Sequence, residues 1–238
     1  MKTFKVLSAL LCYPSEELLA AASDLAAILD AENLVPKRER RALDVLIGEL
    51  ASGELYDLQE CYGLLFDRTR SLALHLFEHV HGESRDRGQA MVDLRALYEK
   101  AGLVVVANEL PDYLPMFLEF LATQPFAEAQ ELLAQPAHIL SAIAERLRKR
   151  SSSYRAVFEA LVAIAAAAPQ PALVEALLEV PDPEPTDLAA LDAAWEEEEV
   201  RFGPGSQEGP CSKESLIAKL RHARRAVQQP VAAQGGAQ

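Results

Sequence analysis

Two histidines and a glutamate with the spacing of a metal site are the residues of this sequence that most clearly suggest chemistry. His75, Glu78 and His79 form the pattern H-x-x-E-H. Two histidines four residues apart on a helix can ligate one zinc ion, and a glutamate between them can act as a general base. A zinc-dependent hydrolase is therefore one hypothesis, although the surrounding sequence offers no evident third ligand.

The same residues also suit a surface that binds another polypeptide. They lie in residues 67–93, which contain three of the five histidines of the chain. Leu72, Leu76 and Val80 repeat at helical spacing and predict an apolar stripe beside the polar residues. A polar face next to a core stripe is costly unless its groups are paired or contact another molecule. The simplest alternative is a capped, solvent-exposed helix–turn–helix that stops at Gly82 and restarts after Ser84.

Composition favours an acidic, helical protein. The chain has 238 residues, of which half are hydrophobic, and a net charge of −13. Alanine and leucine dominate over β-branched and aromatic residues, which favours helices over strands. The negative charge argues against nucleic acid as a partner and favours basic segments. We find no apolar run of the length that a membrane span needs, so a direct membrane span is not expected.

Three cysteines without C-x-x-C spacing, Cys12, Cys61 and Cys211, indicate free thiols. The first two fall in helical patterns and are predicted to be buried, which indicates a reducing compartment.

The order of apolar repeats and breakers predicts one all-α domain of about nine or ten short helices. Ser15 is a good N-cap for a helix that continues to about residue 30, and Gly53 ends the next long helix. Asp112 is predicted to cap a helix whose first turn tolerates Pro115. Residues 103–107 (LVVVA) are interpreted as a buried connector.

The composition changes at Pro181, so we divide the chain into a helical domain (1–180) and a flexible tail (181–238). The tail begins as an acidic linker rich in proline and glycine, a composition that cannot form a compact core. Residues 213–228 then predict a short basic amphipathic helix, which could act as a latch on the domain.

A longer pattern includes the five-letter metal motif. The segments LFDRTRSLALHLFEHVHGESRDRGQAMVDLRALYEKAGL and ELPDYLPMFLEFL closely resemble the molybdenum-cofactor assembly chaperones of nitrate reductase, the NarJ or delta-subunit type. These belong to the TorD/DmsD group of redox-enzyme maturation proteins. The resemblance is strongest over residues 62–121 and weaker in KVLSALLCYPSEELL and WEEEEVRFG. In the wider group an E-P-x-D-H motif marks the peptide-binding region. Its nearest equivalent here is residues 109–113 (ELPDY), in which the spacing is altered and tyrosine replaces the histidine.

The resemblance implies an all-helical cytoplasmic chaperone for the catalytic (alpha) subunit of respiratory nitrate reductase. It implies no catalysis and no cofactor of its own, and the chaperone would leave before the enzyme is complete. We expect a basic amphipathic N-terminal segment of the client to bind in a groove between residues 67–93 and the helix that starts near Asp112. The expected client-binding residues are Asp67, Arg68, His75, Glu78, His79, His81, Glu83, Glu109, Asp112, Tyr113 and Phe117.

Overall fold

The computed structural model describes residues 1–81, 85–105, 109–184 and 186–189, and this part of the chain is built from helices. Ten of its α-helices have eight residues or more, and no strand occurs within these ranges. The prediction of an all-α fold with nine or ten short helices is therefore confirmed. The helices are α1 (Lys2–Leu10), α2 (Glu16–Ala20), α3 (Ala22–Glu32), α4 (Lys37–Ser52), α5 (Leu55–Phe66), α6 (Glu78–His81), α7 (Arg85–Lys100), α8 (Leu114–Thr123), α9 (Phe126–Ala134), α10 (Ala137–Lys149), α11 (Arg155–Ile164) and α12 (Pro171–Leu178), with a 3-10 turn at Arg70–Leu72.

Several helix ends follow the local chemistry of the sequence. The Ser15 hydroxyl accepts a hydrogen bond from the Leu18 N–H at 3.3 Å, so it caps α2 as predicted. Gly53 follows the last residue of α4. The helix that starts after Ser15 was predicted to reach residue 30, but it is interrupted at Ala21 and continues as α3. Beyond α7, Gly102 has φ of +79°, a conformation that glycine adopts without steric cost.

One hydrophobic core extends through the helices. Helix α1 packs against α8 and α3, α10 packs against α11 and α12, and α4 packs against both α3 and α11. Apart from α12, which has no buried residue, these helices bury leucine, isoleucine, valine and phenylalanine side chains, and each contributes about 1.5–3 kcal/mol of transfer free energy. The Ser8 hydroxyl donates to the Pro115 carbonyl oxygen at 2.8 Å, which fixes α1 against the first turn of α8. This contact places the N-terminus of α8, and with it residues 109–113, beside α1.

Two predictions about burial are wrong. Val104 is 75 % exposed, whereas Leu103 and Val105 are half-buried and pack against the core, so the predicted buried connector is buried only in part. Cys61 is exposed on α5, whereas Cys12 is half-buried, and both are free thiols. In each case the helical or apolar pattern was correct but did not reveal which side faces solvent. Within the described ranges we find no helix that is both long and apolar enough to cross a membrane.

The predicted tail lies mostly outside the described residues. Position 185 and residues 190–238, which include the predicted basic helix at 213–228, are not part of the description. The described part of the tail keeps contact with the helical domain, because the Asp182 carboxylate pairs with Arg150 on the segment after α10. The division at Pro181 and the latch remain predictions.

Candidate functional site

Residues 67–81 do not form one continuous helix. Helix α5 ends at Phe66 with Asp67 as its C-cap residue, and α6 begins only at Glu78. Between them, the Leu76 N–H donates to the Asp112 carbonyl oxygen at 3.1 Å, and the Leu114 N–H donates to the Leu74 carbonyl oxygen at 2.8 Å. The prediction that the histidines and glutamate of H-x-x-E-H share a helical face is therefore wrong. The backbone of residues 74–76 bonds to residues 112–114, and the Glu78 N–H donates to the His75 carbonyl oxygen at 3.1 Å.

The buried Asp112 side chain stabilises the contact between residues 74–76 and residues 112–114. Its exposed fraction is 0 %, and its Oδ2 accepts a hydrogen bond from the Phe77 N–H at 2.9 Å. Its Oδ1 has no hydrogen-bond partner among the described residues, and burial raises the pKa of the carboxyl. The predicted cap role is wrong, because the N-cap residue of α8 is Tyr113. Asp112 instead satisfies a backbone N–H at the start of α6.

Three side chains lie on the solvent-facing side of this contact: His75, Tyr113 and Glu109. His75 and Tyr113 face each other in an antiparallel bridge, with ring centroids 5.4 Å apart. The His75 Nε2 lies 3.7 Å from Oε2 of the exposed Glu109. Desolvation raises the pKa of the Tyr113 hydroxyl to about 12, so this group stays neutral at physiological pH. We call these three residues, with the neighbouring Asp67 and Leu110, the client surface.

Leu110 and Asp67 complete this surface, and each interacts with Tyr113. Leu110 is 46 % exposed, and its carbonyl oxygen accepts a hydrogen bond from the Tyr113 N–H at 3.0 Å. Asp67 is exposed at the end of α5, and its carboxylate acts electrostatically on Tyr113. Desolvation raises the pKa of the Asp67 carboxyl. The surface thus combines two acids with an aromatic ring and an exposed leucine.

The remaining predicted site residues are placed differently. The His79 Nε2 lies 2.8 Å from the Ala73 carbonyl oxygen, and burial lowers the pKa of its imidazole. Glu78 pairs with Arg87 of α7 at 3.2 Å. Phe117 is 5 % exposed and belongs to the core, whereas Arg68 is exposed after α5. Glu83 and the side chain of His81 lie outside the described residues.

The zinc hypothesis loses its geometric basis. A zinc site of this type requires His75 and His79 on one face of a helix. Instead, His75 precedes α6 and faces Tyr113, while His79 contacts a backbone carbonyl oxygen. The part of the chain described here contains no group of three histidine, cysteine, aspartate or glutamate side chains that could hold a metal ion.

Sequence reasoning missed one buried cation near this site. From its position near the C-terminus of α10, the sequence indicates only a cation that is favoured by the helix dipole, but Arg146 is 2 % exposed. Its Nη1 donates to the Ser71 carbonyl oxygen at 2.8 Å, and its Nη2 donates to those of Leu177 and Val180 at 2.7 and 3.1 Å. The signal was present, because position 146 continues the apolar stripe of Ile139 and Ile143. Arg146 joins the 3-10 turn to the end of α12.

Similarity to known proteins identifies the family of this chain. The nitrate reductase delta subunit family matches residues 19–160, which include the whole client surface. The chain belongs to the nitrate reductase delta subunit family.

Individual members of this delta subunit family are similar over most of their length. The nitrate reductase molybdenum cofactor assembly chaperone NarJ of Escherichia coli (strain K12) is 43 % identical over 199 residues, covering 83 % of each chain. The probable chaperone NarW of the same strain is 41 % identical over 202 residues, covering 85 % of this chain and 84 % of that protein. The probable NarJ of Bacillus subtilis (strain 168) is 32 % identical over 161 residues, covering 68 % of this chain and 86 % of that protein. These relatives bear the name of an assembly chaperone and not that of an enzyme.

Proposed function

We propose that this protein is an assembly chaperone that assists insertion of the molybdenum cofactor into nitrate reductase. The observation that carries this proposal is the family membership, with a 43 % identical relative of that name aligned over most of both chains. The protein acts on the catalytic (alpha) subunit, leaves before the enzyme is complete, and works in the cytoplasm. It has no catalytic role of its own.

The client surface has the chemistry to bind a basic amphipathic segment, which we propose to be the N-terminus of the catalytic subunit. Glu109 and Asp67 offer carboxylates to lysine or arginine side chains. Leu110, which is exposed, and the ring of Tyr113 offer apolar area to the other side of a helical segment. The net charge of −13 attracts such a segment over longer distances.

The buried members of the predicted site support this surface from inside. Asp112 fixes the backbone at Phe77, and the backbone bridge fixes His75 against Tyr113. Phe117 is buried in the core, and the His79 ring contacts the Ala73 carbonyl oxygen. The proposed client therefore contacts exposed acids and rings, while Asp112 and Phe117 act as positioning residues.

Co-purification with the nitrate reductase catalytic subunit of the same organism tests the proposal. The full-length catalytic subunit should be retained by the chaperone, and a subunit without its N-terminal segment should be retained at least tenfold less. Glu109→Gln should weaken retention, whereas Glu131→Gln, which removes the same charge from an exposed position of α9, should not. Equal retention of the full-length and shortened subunits would refute the proposed binding mode, and no retention of either would refute the proposed partner.

A further inference from the structure

A second cluster of polar side chains lies at the C-terminal end of α10, apart from the client surface. The Arg150 side chain is 9 % exposed, and its Nη2 donates to Asp182 Oδ1 at 2.6 Å and to the Pro183 carbonyl oxygen at 3.1 Å. The Ser71 hydroxyl donates to the same Asp182 Oδ1 at 2.5 Å. A carboxylate from the segment after α12 thus lies between a buried guanidinium and a hydroxyl group. We call Arg150, Ser71 and the adjacent Arg146 the arginine pocket.

Asp182 fills this pocket incompletely. The Arg150 Nη1 is buried and has no hydrogen-bond partner among the described residues, although it lies on the same guanidinium that binds Asp182. Arginine–carboxylate pairs usually use two parallel hydrogen bonds, one from each of two guanidinium nitrogens. Here Oδ1 alone receives both the Arg150 and the Ser71 hydrogen bonds. The pocket therefore has a buried donor that the aspartate leaves unused.

The charges in the pocket also favour a stronger anion. Arg146 lies one helical turn before Arg150, and its hydrogen bonds go to three backbone carbonyl oxygens. The charged groups that act on Arg146 are Asp182 and Arg150, and burial lowers the pKa of its guanidinium. Two largely buried cations thus lie near one carboxylate, which forms an ion pair with Arg150. Buried charges are stable when they are paired, so a doubly charged anion matches this pocket better than a single carboxylate.

We propose that the arginine pocket is a binding site for a phosphate-class dianion, such as a phosphate ester or a pyrophosphate group, and that Asp182 is its internal competitor. A phosphate group carries about −1.5 to −2 charges near neutral pH and offers three acceptor oxygens. Three oxygens can receive both terminal nitrogens of Arg150 and the Ser71 hydroxyl together. The site opens when residues 181–184 move away, and these residues lie only a few positions after the end of α12 at Leu178.

The short tether makes Asp182 an effective competitor. A group held so close acts at an effective concentration of about millimolar or higher. The apparent affinity for a free dianion falls by the fraction of molecules in which the pocket is open. Removing the competing carboxylate without moving the arginines should therefore reveal the site.

Isothermal titration calorimetry of the full chain with pyrophosphate tests this proposal, with inorganic phosphate and acetate as further probes. Asp182→Asn should bind pyrophosphate at least tenfold more tightly than the wild-type protein. The matched control Glu184→Gln removes the same charge from an exposed position of the same segment, and its affinity should stay within twofold of wild type. The double variant Asp182→Asn, Arg150→Met should lose the gain.

Thermal unfolding supplies a second measurement for the case in which Asp182→Asn is less stable. Pyrophosphate should then raise the Tm of Asp182→Asn more than that of Glu184→Gln or of the double variant. The proposal is overturned if pyrophosphate neither binds nor stabilises Asp182→Asn, or if Arg150→Met leaves its binding unchanged. Equal affinity for acetate and pyrophosphate would also overturn it, because the site would then not select a dianion.

Discussion

Substitution of Asp112 separates a positioning role from direct contact with the client. Asp112→Ala leaves the Phe77 N–H buried without its acceptor, which costs about 1–3 kcal/mol. Loss of the buried charge offsets a part of this, so we expect a net loss of about 2 kcal/mol in the free energy of unfolding. For a domain of this size, that corresponds to a decrease in Tm of about 4–8 °C. Asp112→Asn keeps an oxygen acceptor, so its free energy of unfolding should change by less than about 1 kcal/mol.

The free energy of unfolding should depend on pH differently in the wild-type protein and in Asp112→Asn. Burial raises the pKa of the folded Asp112 carboxyl above its ordinary value of 3.8, so the folded state binds the proton more tightly than the unfolded state. The Asp112 contribution to stability therefore falls as pH rises from 3.8 through the folded pKa. Asparagine lacks this contribution, and the stability of Asp112→Asn relative to wild type should increase over that interval.

Urea unfolding of the two variants at several pH values from about 4 to 7 measures both effects, with Asp57→Asn on the exposed face of α5 as control. Binding of the client's N-terminal peptide, measured by calorimetry at pH 7, should change less than twofold in Asp112→Asn. A folded Asp112→Asn protein that no longer binds the peptide would refute the positioning role. An alanine variant as stable as the asparagine variant would refute the importance of the hydrogen bond to Phe77.

Arg146, His79, Asp182 and the exposed acids can each be tested in the same way. Arg146→Met removes three hydrogen bonds to carbonyl oxygens and should reduce the free energy of unfolding by about 3 kcal/mol in urea titrations; a change below about 1 kcal/mol would contradict its structural role. Burial lowers the folded pKa of His79 below 6.5, so wild-type stability should fall as pH decreases below 6.5, and His79→Gln should show a smaller decrease between about pH 5 and 7. Deletion of 190–238 should leave Tm nearly unchanged, whereas deletion of 181–238 also removes Asp182 and should lower it; equal Tm values would contradict this. Peptide binding should weaken as salt rises, because ions screen exposed charges over roughly 8 Å at physiological ionic strength, and calorimetry that shows no salt dependence would argue against the acidic contacts.

The helices could be predicted from the sequence because their signals are local. Ser15, Gly53 and Gly102 end or begin helices through their own backbone preferences and hydrogen bonds. The apolar repeats also identified the buried leucines of α4 and α8. These features depend on residues within one or two turns of each other, so a single sequence contains the information.

The site could be predicted only in part because its decisive contacts are distant in sequence. Asp112 is 35 residues from Phe77, and Arg146 is 75 residues from Ser71. Helical spacing therefore wrongly placed His75 and His79 on one face, although the backbone of residues 74–76 bonds to residues 112–114. The pairing of His75 with Glu109 still lies within the two segments that the family resemblance singled out.

The most direct test of the proposed function is the molybdenum content of the nitrate reductase catalytic subunit. The subunit would be purified from cells that contain the chaperone, from cells that lack it, and from cells with Glu109→Gln. We predict close to one molybdenum per subunit with the wild-type chaperone, a large deficit without it, and an intermediate value with Glu109→Gln. Equal molybdenum content in the presence and absence of the protein would contradict its assignment as a cofactor-assembly chaperone.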